Sequence, residues 1–127
     1  MEKSMLAVRT AGMVLPLLML VPSPAPAQDA AAGAVQFKAR CAICHSVADG
    51  QKAMLAPNLA HLAGRKAAST QFNYSPALKA SGLSWDKATL DRFLAAPMKA
   101  VPGTRMVVSV ADARQRSNIV AYLSTLK

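Results

Sequence analysis

The sequence predicts an all-α fold, and three observations carry that reading. Apolar residues recur at helical spacing around Phe37, around Phe93 and from Ile119 to Leu126. Helix punctuation flanks the candidate segments, with Asp29 and Ser75 as side-chain caps, Pro76 in a first turn and Gly82 after a last one. No stretch alternates as a strand does, apart from the short Met106 to Val108 run.

In chain order, residues 1–27 stand apart. Lys3 and Arg9 precede an apolar run from Ala11 to Val21, and Ala25-Pro26-Ala27 closes the segment. This is the pattern of a secretory signal cleaved after Ala27, leaving a single domain of residues 28–127. The apolar run is interrupted by Pro16 and falls short of the roughly 20 residues needed to cross a bilayer, so no stable membrane insertion is expected after processing.

Asp29 then caps a helix in which Ala30, Gly33, Ala34, Phe37 and Cys41 follow helical spacing. Gly33 costs about 1 kcal/mol there relative to Ala, so a close approach by another helix is expected at that point. Residues 46–70 have little periodicity and read as irregular backbone that must pack on something else. Ser75-Pro76 to Gly82 is a short helix, and Ser84, Trp85 and Asp86 open another that presents Leu90, Phe93 and Leu94 on one face and stops at Pro97. Val101-Pro102-Gly103-Thr104 fits a type II turn. A last helix is expected from Ser109, with Asp112 completing a variant capping box, to the C-terminus.

The first helix feeds into Cys41-Ala42-Ile43-Cys44-His45, and this stretch specifies a chemistry. Cys-x-x-Cys-His is the attachment signature of a c-type haem. Two cysteines three apart share one face of a helical turn, so both sulfurs can bond one porphyrin, and His45 follows as an axial ligand to its iron. A thioredoxin-like redox pair would sit in a βαβ pattern, which is missing here. A structural zinc site needs four ligands, and the only other Cys or His is His61. In a chain of 127 residues a covalent haem is effectively part of the core.

Charge constrains the partners. The chain has 15 Lys and Arg against 6 Asp and Glu; after residue 27 the balance is 13 against 5, a charge of +8. Acidic partners follow. Nucleic acid does not, because aromatics are 5% and no basic helix or finger pattern occurs.

The second axial position decides between electron carriage and ligand chemistry. Met106, after the Pro-Gly turn and about 60 residues beyond the cysteines, can return to the opposite haem face; spacing alone leaves His61 as an alternative.

Taken together, the mature chain resembles a small class I cytochrome c of the mitochondrial and alphaproteobacterial periplasmic type. Gly33, Phe37, Cys41, Cys44, His45, Pro57-Asn58-Leu59, Gly64-Arg65, Phe72-Asn73-Tyr74-Ser75, Gly82-Leu83-Ser84-Trp85, Pro102-Gly103-Thr104-Arg105-Met106 and Tyr122-Leu123 carry the resemblance in order. It implies helices wrapped around one covalent haem c on Cys41 and Cys44, with His45 and Met106 as axial iron ligands. It also implies a Pro57 carbonyl bonded to His45, and Arg65, Tyr74 and Trp85 around the propionates. The first and last helices would cross at Gly33 and Phe37. The chain departs from the family pattern at Ala56 and His61, where Gly is usual, at Phe93, often Tyr, and at Val108, often aromatic; the Arg65 to Phe72 loop is one residue shorter.

The implied function is a periplasmic, monomeric, non-enzymatic electron carrier. It would shuttle single electrons between respiratory or photosynthetic membrane complexes, or between dehydrogenases and oxidases, with electrons crossing at the haem edge in brief complexes with acidic-surfaced partners. Lys38, Lys52, Lys99 and Arg105 flank the haem-binding segments and are expected to steer these encounters. Two alternatives stay open: a haem centre with a labile Met that binds small ligands or peroxide, and an electron-accepting subunit dedicated to one dehydrogenase.

Overall fold

A computed structural model describes residues 19–22 and 28–127; most of the expected signal segment lies outside the described residues. Five helices follow: α1 (Ala30–Arg40), α2 (Pro76–Ala80), α3 (Lys87–Ala95), α4 (Pro97–Ala100) and α5 (Ala113–Leu123). Among the described residues there is no strand, only one isolated antiparallel bridge between Lys66 and Ser84. The Met106 to Val108 run belongs to no strand or helix.

The first and last helices form the frame. Asp29 caps α1 by accepting from the Ala32 N–H at 3.0 Å, and its own N–H donates to Asn118 Oδ1 at 3.0 Å, so the start of α1 is tied to α5. Gly33 lies at the crossing, facing the Asn118 backbone, and the Phe37 and Tyr122 rings meet four residues further along each helix with centroids 5.3 Å apart. This is the close helix contact that a glycine at this position predicts. Packed around it are Leu90, Phe93 and Leu94 of α3, Ile119, Val120 and Leu123 of α5, and Leu62, Trp85, Val101 and Val110 from the connections.

The shorter helices have local causes. Ser75 Oγ accepts from the Leu78 N–H at 3.1 Å, Pro76 occupies the first turn, and Gly82 follows with φ of 66°. Asp86 accepts from the Thr89 N–H at 2.8 Å and starts α3. Pro97 ends α3 as expected but also opens the single turn of α4, its fixed φ suiting a first helical position. The turn after α4 closes through the Thr104 N–H on the Val101 carbonyl at 3.0 Å, with Gly103 at φ of 92°.

Two boundaries correct the sequence expectation. The last helix starts after Asp112, which accepts from the Gln115 N–H at 2.7 Å, and not at Ser109. The intervening backbone is committed elsewhere: the Val110 N–H donates to the Leu94 carbonyl, Arg40 takes the Ser109 carbonyl, and Arg116 takes those of Val110 and Ala111. At the other end the helix stops at Leu123, and Leu126 packs on the core from beyond it.

Candidate haem-binding site

Helix α1 delivers the cysteines. The Cys41 N–H donates to the Phe37 carbonyl at 2.7 Å, and the Cys44 and His45 N–H groups both donate to the Cys41 carbonyl, at 3.1 and 3.0 Å. Residues 41–45 therefore form a helical turn on which the two sulfurs stand on one side. Both thiols are free and half-buried. Burial pushes the Cys41 thiol pKa up, the neighbouring Arg40 charge works against this, and Cys44 adds to it.

His45 is oriented by its other ring nitrogen. Nδ1 lies 2.8 Å from the Pro57 carbonyl oxygen, which can only accept, so Nδ1 carries the proton and Nε2 keeps a lone pair for a metal. Burial pushes the His45 pKa down, partly opposed by the Pro57 carbonyl, and holds the imidazole in the neutral form that ligates.

The loop that presents Pro57 is braced. The Ala56 N–H donates to the Cys44 carbonyl at 3.0 Å, the Leu59 N–H to the Ser46 carbonyl at 2.9 Å, and the Asn58 side-chain amide to the Ala48 and Gln51 carbonyls at 2.8 and 2.6 Å. Ala56, which stands where the family usually has Gly, is part of this braced loop. His61 takes the left-handed conformation, φ of 53°, and its Nε2 lies 3.1 Å from Asp49 Oδ1 with the side chain 57% exposed.

On the other side of the loop, Arg65 donates from Nη1 to the Ala60 carbonyl at 2.6 Å and from Nη2 to the Asn58 carbonyl at 3.1 Å. Its Nε is buried and has no partner among the described residues. Trp85 meets Arg65 through the backbone, its N–H on the Arg65 carbonyl at 2.9 Å, and stacks edge-on against Phe93 at 5.0 Å. The Tyr74 and Thr70 hydroxyls are hydrogen-bonded to each other, and Phe72 meets the Tyr74 ring edge at 5.2 Å.

Met106 is half-buried against the core. The segment carrying it is held by the Val101 to Thr104 turn, by the Met106 N–H on Thr104 Oγ1 at 3.5 Å, and by Arg105 Nη1 on the Asn73 carbonyl at 2.7 Å. Arg40 and Arg116 grip the carbonyls just downstream. Neither arginine stands out in the sequence, because a long-range bond to a main-chain carbonyl leaves no local signature. The role of Asn58 had a signal in the Pro-Asn pair: its Oδ1 accepts from the Ala60 N–H at 2.7 Å, an Asx-turn.

These features fit a haem c: two free cysteines on one turn, a neutral imidazole with one nitrogen already occupied, and a buried guanidinium N–H that lacks an acceptor. The family model for cytochrome c matches residues 30–127, essentially the whole described domain. The chain belongs to the cytochrome c family.

Like its family, this cytochrome carries one covalent haem c and is an electron carrier, not an enzyme. It is 42% identical over 99 residues to a cytochrome c2 of Rhodoplanes tepidamans, covering 76% of this chain and 92% of that one. A cytochrome c2 of Rhodomicrobium vannielii is 44% identical over 101 residues, 78% of this chain and 80% of that protein. Among solved structures, cytochrome cH from Methylobacterium extorquens superposes with a TM-score of 0.71 at 42% identity, covering 76% of this chain and 98% of that one. No helix among the described residues is long and apolar enough to cross a membrane.

Proposed function

We propose that this cytochrome is a periplasmic carrier, exported by residues 1–27 and working as a monomeric protein of residues 28–127 with His45 and Met106 as axial iron ligands. The single observation that carries the ligation is the 2.8 Å bond from His45 Nδ1 to the Pro57 carbonyl, which leaves Nε2 as the free donor on the cysteine turn. When bound, haem c supplies a one-electron iron couple. The chain's part is to keep both ligands in place in either oxidation state, and the thioether of Met106, a soft donor, favours the reduced state relative to a second imidazole.

Arg65, Tyr74 and Trp85 are the residues that would receive the propionates. The unpartnered Arg65 Nε supports this reading, because a buried charged donor without an acceptor is costly. A charge of +8 after processing supports acidic surfaces on donor and acceptor proteins, and the similarity to cytochromes c2 supports the periplasm as the compartment.

Two measurements test this reading. The intact mass of the exported product should correspond to a chain starting at Gln28 plus one haem. The oxidised protein should show a far-red sulfur-to-iron charge-transfer band that is lost in Met106→Ala and kept in His61→Ala; loss of the band in His61→Ala would reassign the ligand.

A further inference from the structure

Cleavage after Ala27 would make Gln28 the first residue, and Gln28 is exposed and outside the helices. Its neighbour fixes where it stands. The Asp29 N–H donates to Asn118 Oδ1 at 3.0 Å, and Asp29 Oδ1 accepts from the Ala32 N–H at 3.0 Å, so the chain is anchored to α5 and to the first turn of α1 immediately after the new terminus. Gln28 is a one-residue overhang. Consecutive Cα atoms are about 3.8 Å apart, so the α-amine that cleavage creates stays beside the start of α1.

A cation is poorly placed there. The first N–H groups of a helix form its positive end, and the first turn of α1 has no acidic side chain; the carboxylate of the cap, Asp29, is already engaged by the Ala32 N–H. Glutamine as the first residue has its own way of removing that charge. Its side chain holds an amide carbonyl at the distance where the α-nitrogen of the same residue closes a five-membered ring.

We propose that Gln28 is a modification site: once residues 1–27 are removed, its α-amine closes on its own side-chain carboxamide, and the mature protein carries an N-terminal pyroglutamate. The inference rests on the export reading. In the step, the α-nitrogen bonds to Cδ, the bond from Cδ to Nε2 breaks, and Nε2 leaves as ammonia with a proton taken from the amine. Nothing is oxidised or reduced, and no co-reactant is consumed. The product is a neutral lactam, so the terminal charge is gone. Both anchoring bonds belong to Asp29 and survive, because ring closure involves atoms of Gln28 alone. The exposed overhang needs no unfolding to react, and afterwards it offers no free amine to aminopeptidases.

The test compares the holoprotein with Gln28→Ala, each purified at neutral pH from freshly harvested cells. The wild type should be lighter, by one ammonia, than residues 28–127 plus one haem, whereas the variant should have the full mass of its own sequence. Denatured wild type should yield no N-terminal sequence until pyroglutamyl aminopeptidase is added, and should then read from Asp29. At neutral pH the wild type should leave a cation exchanger earlier than the variant, which keeps its terminal amine. A fresh wild-type protein of full mass that reads from Gln28 would overturn the proposal. So would ammonia loss that develops only as the purified protein ages, or that occurs equally in Gln28→Ala. A chain that retains residues 1–27, or starts elsewhere, overturns the export reading and the modification with it; that result differs in mass by whole residues and is distinct from a missing ammonia loss.

Discussion

The Asn118 carbonyl oxygen lies 1.9 Å from the point where a Cβ on Gly33 would stand, with the carbonyl carbon at 2.5 Å. The two helices therefore touch backbone to backbone, on the helix that leads into Cys41. Backbone cannot rotate away as a side chain can. Gly33→Ala should accordingly destabilise the holoprotein by about 3 kcal/mol, the upper end of overpacking costs, even though Ala is the better helix former. Denaturant unfolding of the holoprotein measures this; a cost below about 1 kcal/mol would mean that α1 slides on α5 without penalty.

Arg116 joins α5 to α3 and to the segment below Met106. Its Nε donates to Asp91 Oδ1 at 2.7 Å and its Nη1 to the Val110 and Ala111 carbonyls at 2.9 and 3.1 Å, with the side chain only 13% exposed. Removing it strands the carbonyl of the buried Val110, whereas removing Asp91 leaves the guanidinium its two carbonyls. Arg116→Ala should therefore cost about 2 kcal/mol and Asp91→Ala clearly less, Asp91 being close to half exposed. Equal costs for the two single variants, compared by denaturant midpoint, would place the stabilisation in the ion pair instead of the carbonyl contacts.

Asp86 provides the pH dependence. The Thr89 backbone N–H, and after it the Thr89 hydroxyl, hold its carboxyl below the usual carboxylate value, with Arg92 adding to the effect. A group whose folded pKa is depressed stabilises the fold above its unfolded value, about 3.9, and that contribution is lost as pH falls through the lower folded value. Asp86→Asn keeps a cap but has no charge to titrate. The wild type should exceed the variant in stability at neutral pH, and the gap should close on acidification below about pH 4. A gap that persists at lower pH would show that the cap acts through geometry and not through its charge.

What the sequence discloses and what it hides differ by the range of the interaction. Asp29, Ser75, Pro76 and Gly82 act within one helical turn, and each holds the position its residue type suggests. The Cys41 to His45 motif was legible for the same reason, its geometry being set by spacing along one turn. By contrast, the start of α5 came out one turn late because Leu94, Arg40 and Arg116 claim the backbone of residues 109–111 from a distance. The pairing of residues 64–67 with 83–85, which brings Arg65 to Trp85, left no trace in either segment's periodicity. The bond from His45 to Pro57 was accessible through the family resemblance alone, since nothing in the residues between them encodes it. Ile43 occupies one of the unspecified positions of the motif, so its exposure became visible only with the fold.

The last expectation concerns encounter with partners. After processing, the chain has 13 Lys and Arg against 5 Asp, and Lys38, Lys52 and Lys99 are exposed on segments that lead into or flank the proposed haem ligands. Arg105 belongs to the same group by position, but it also holds the Asn73 carbonyl at 2.7 Å, so replacing it would disturb the Met106 segment as well as the charge. Charge reversal of the three lysines to Glu is the cleaner experiment. At low ionic strength it should slow second-order electron transfer with host membranes by about tenfold and flatten the salt dependence, because steering by complementary charge raises the rate of encounter and is screened within about 8 Å in physiological salt. Reversing Lys87 and Lys127, also exposed but away from these segments, should change the rate little. A wild-type rate that is independent of salt, or that rises with it, would sink charge steering and favour a permanently assembled complex held by apolar contact.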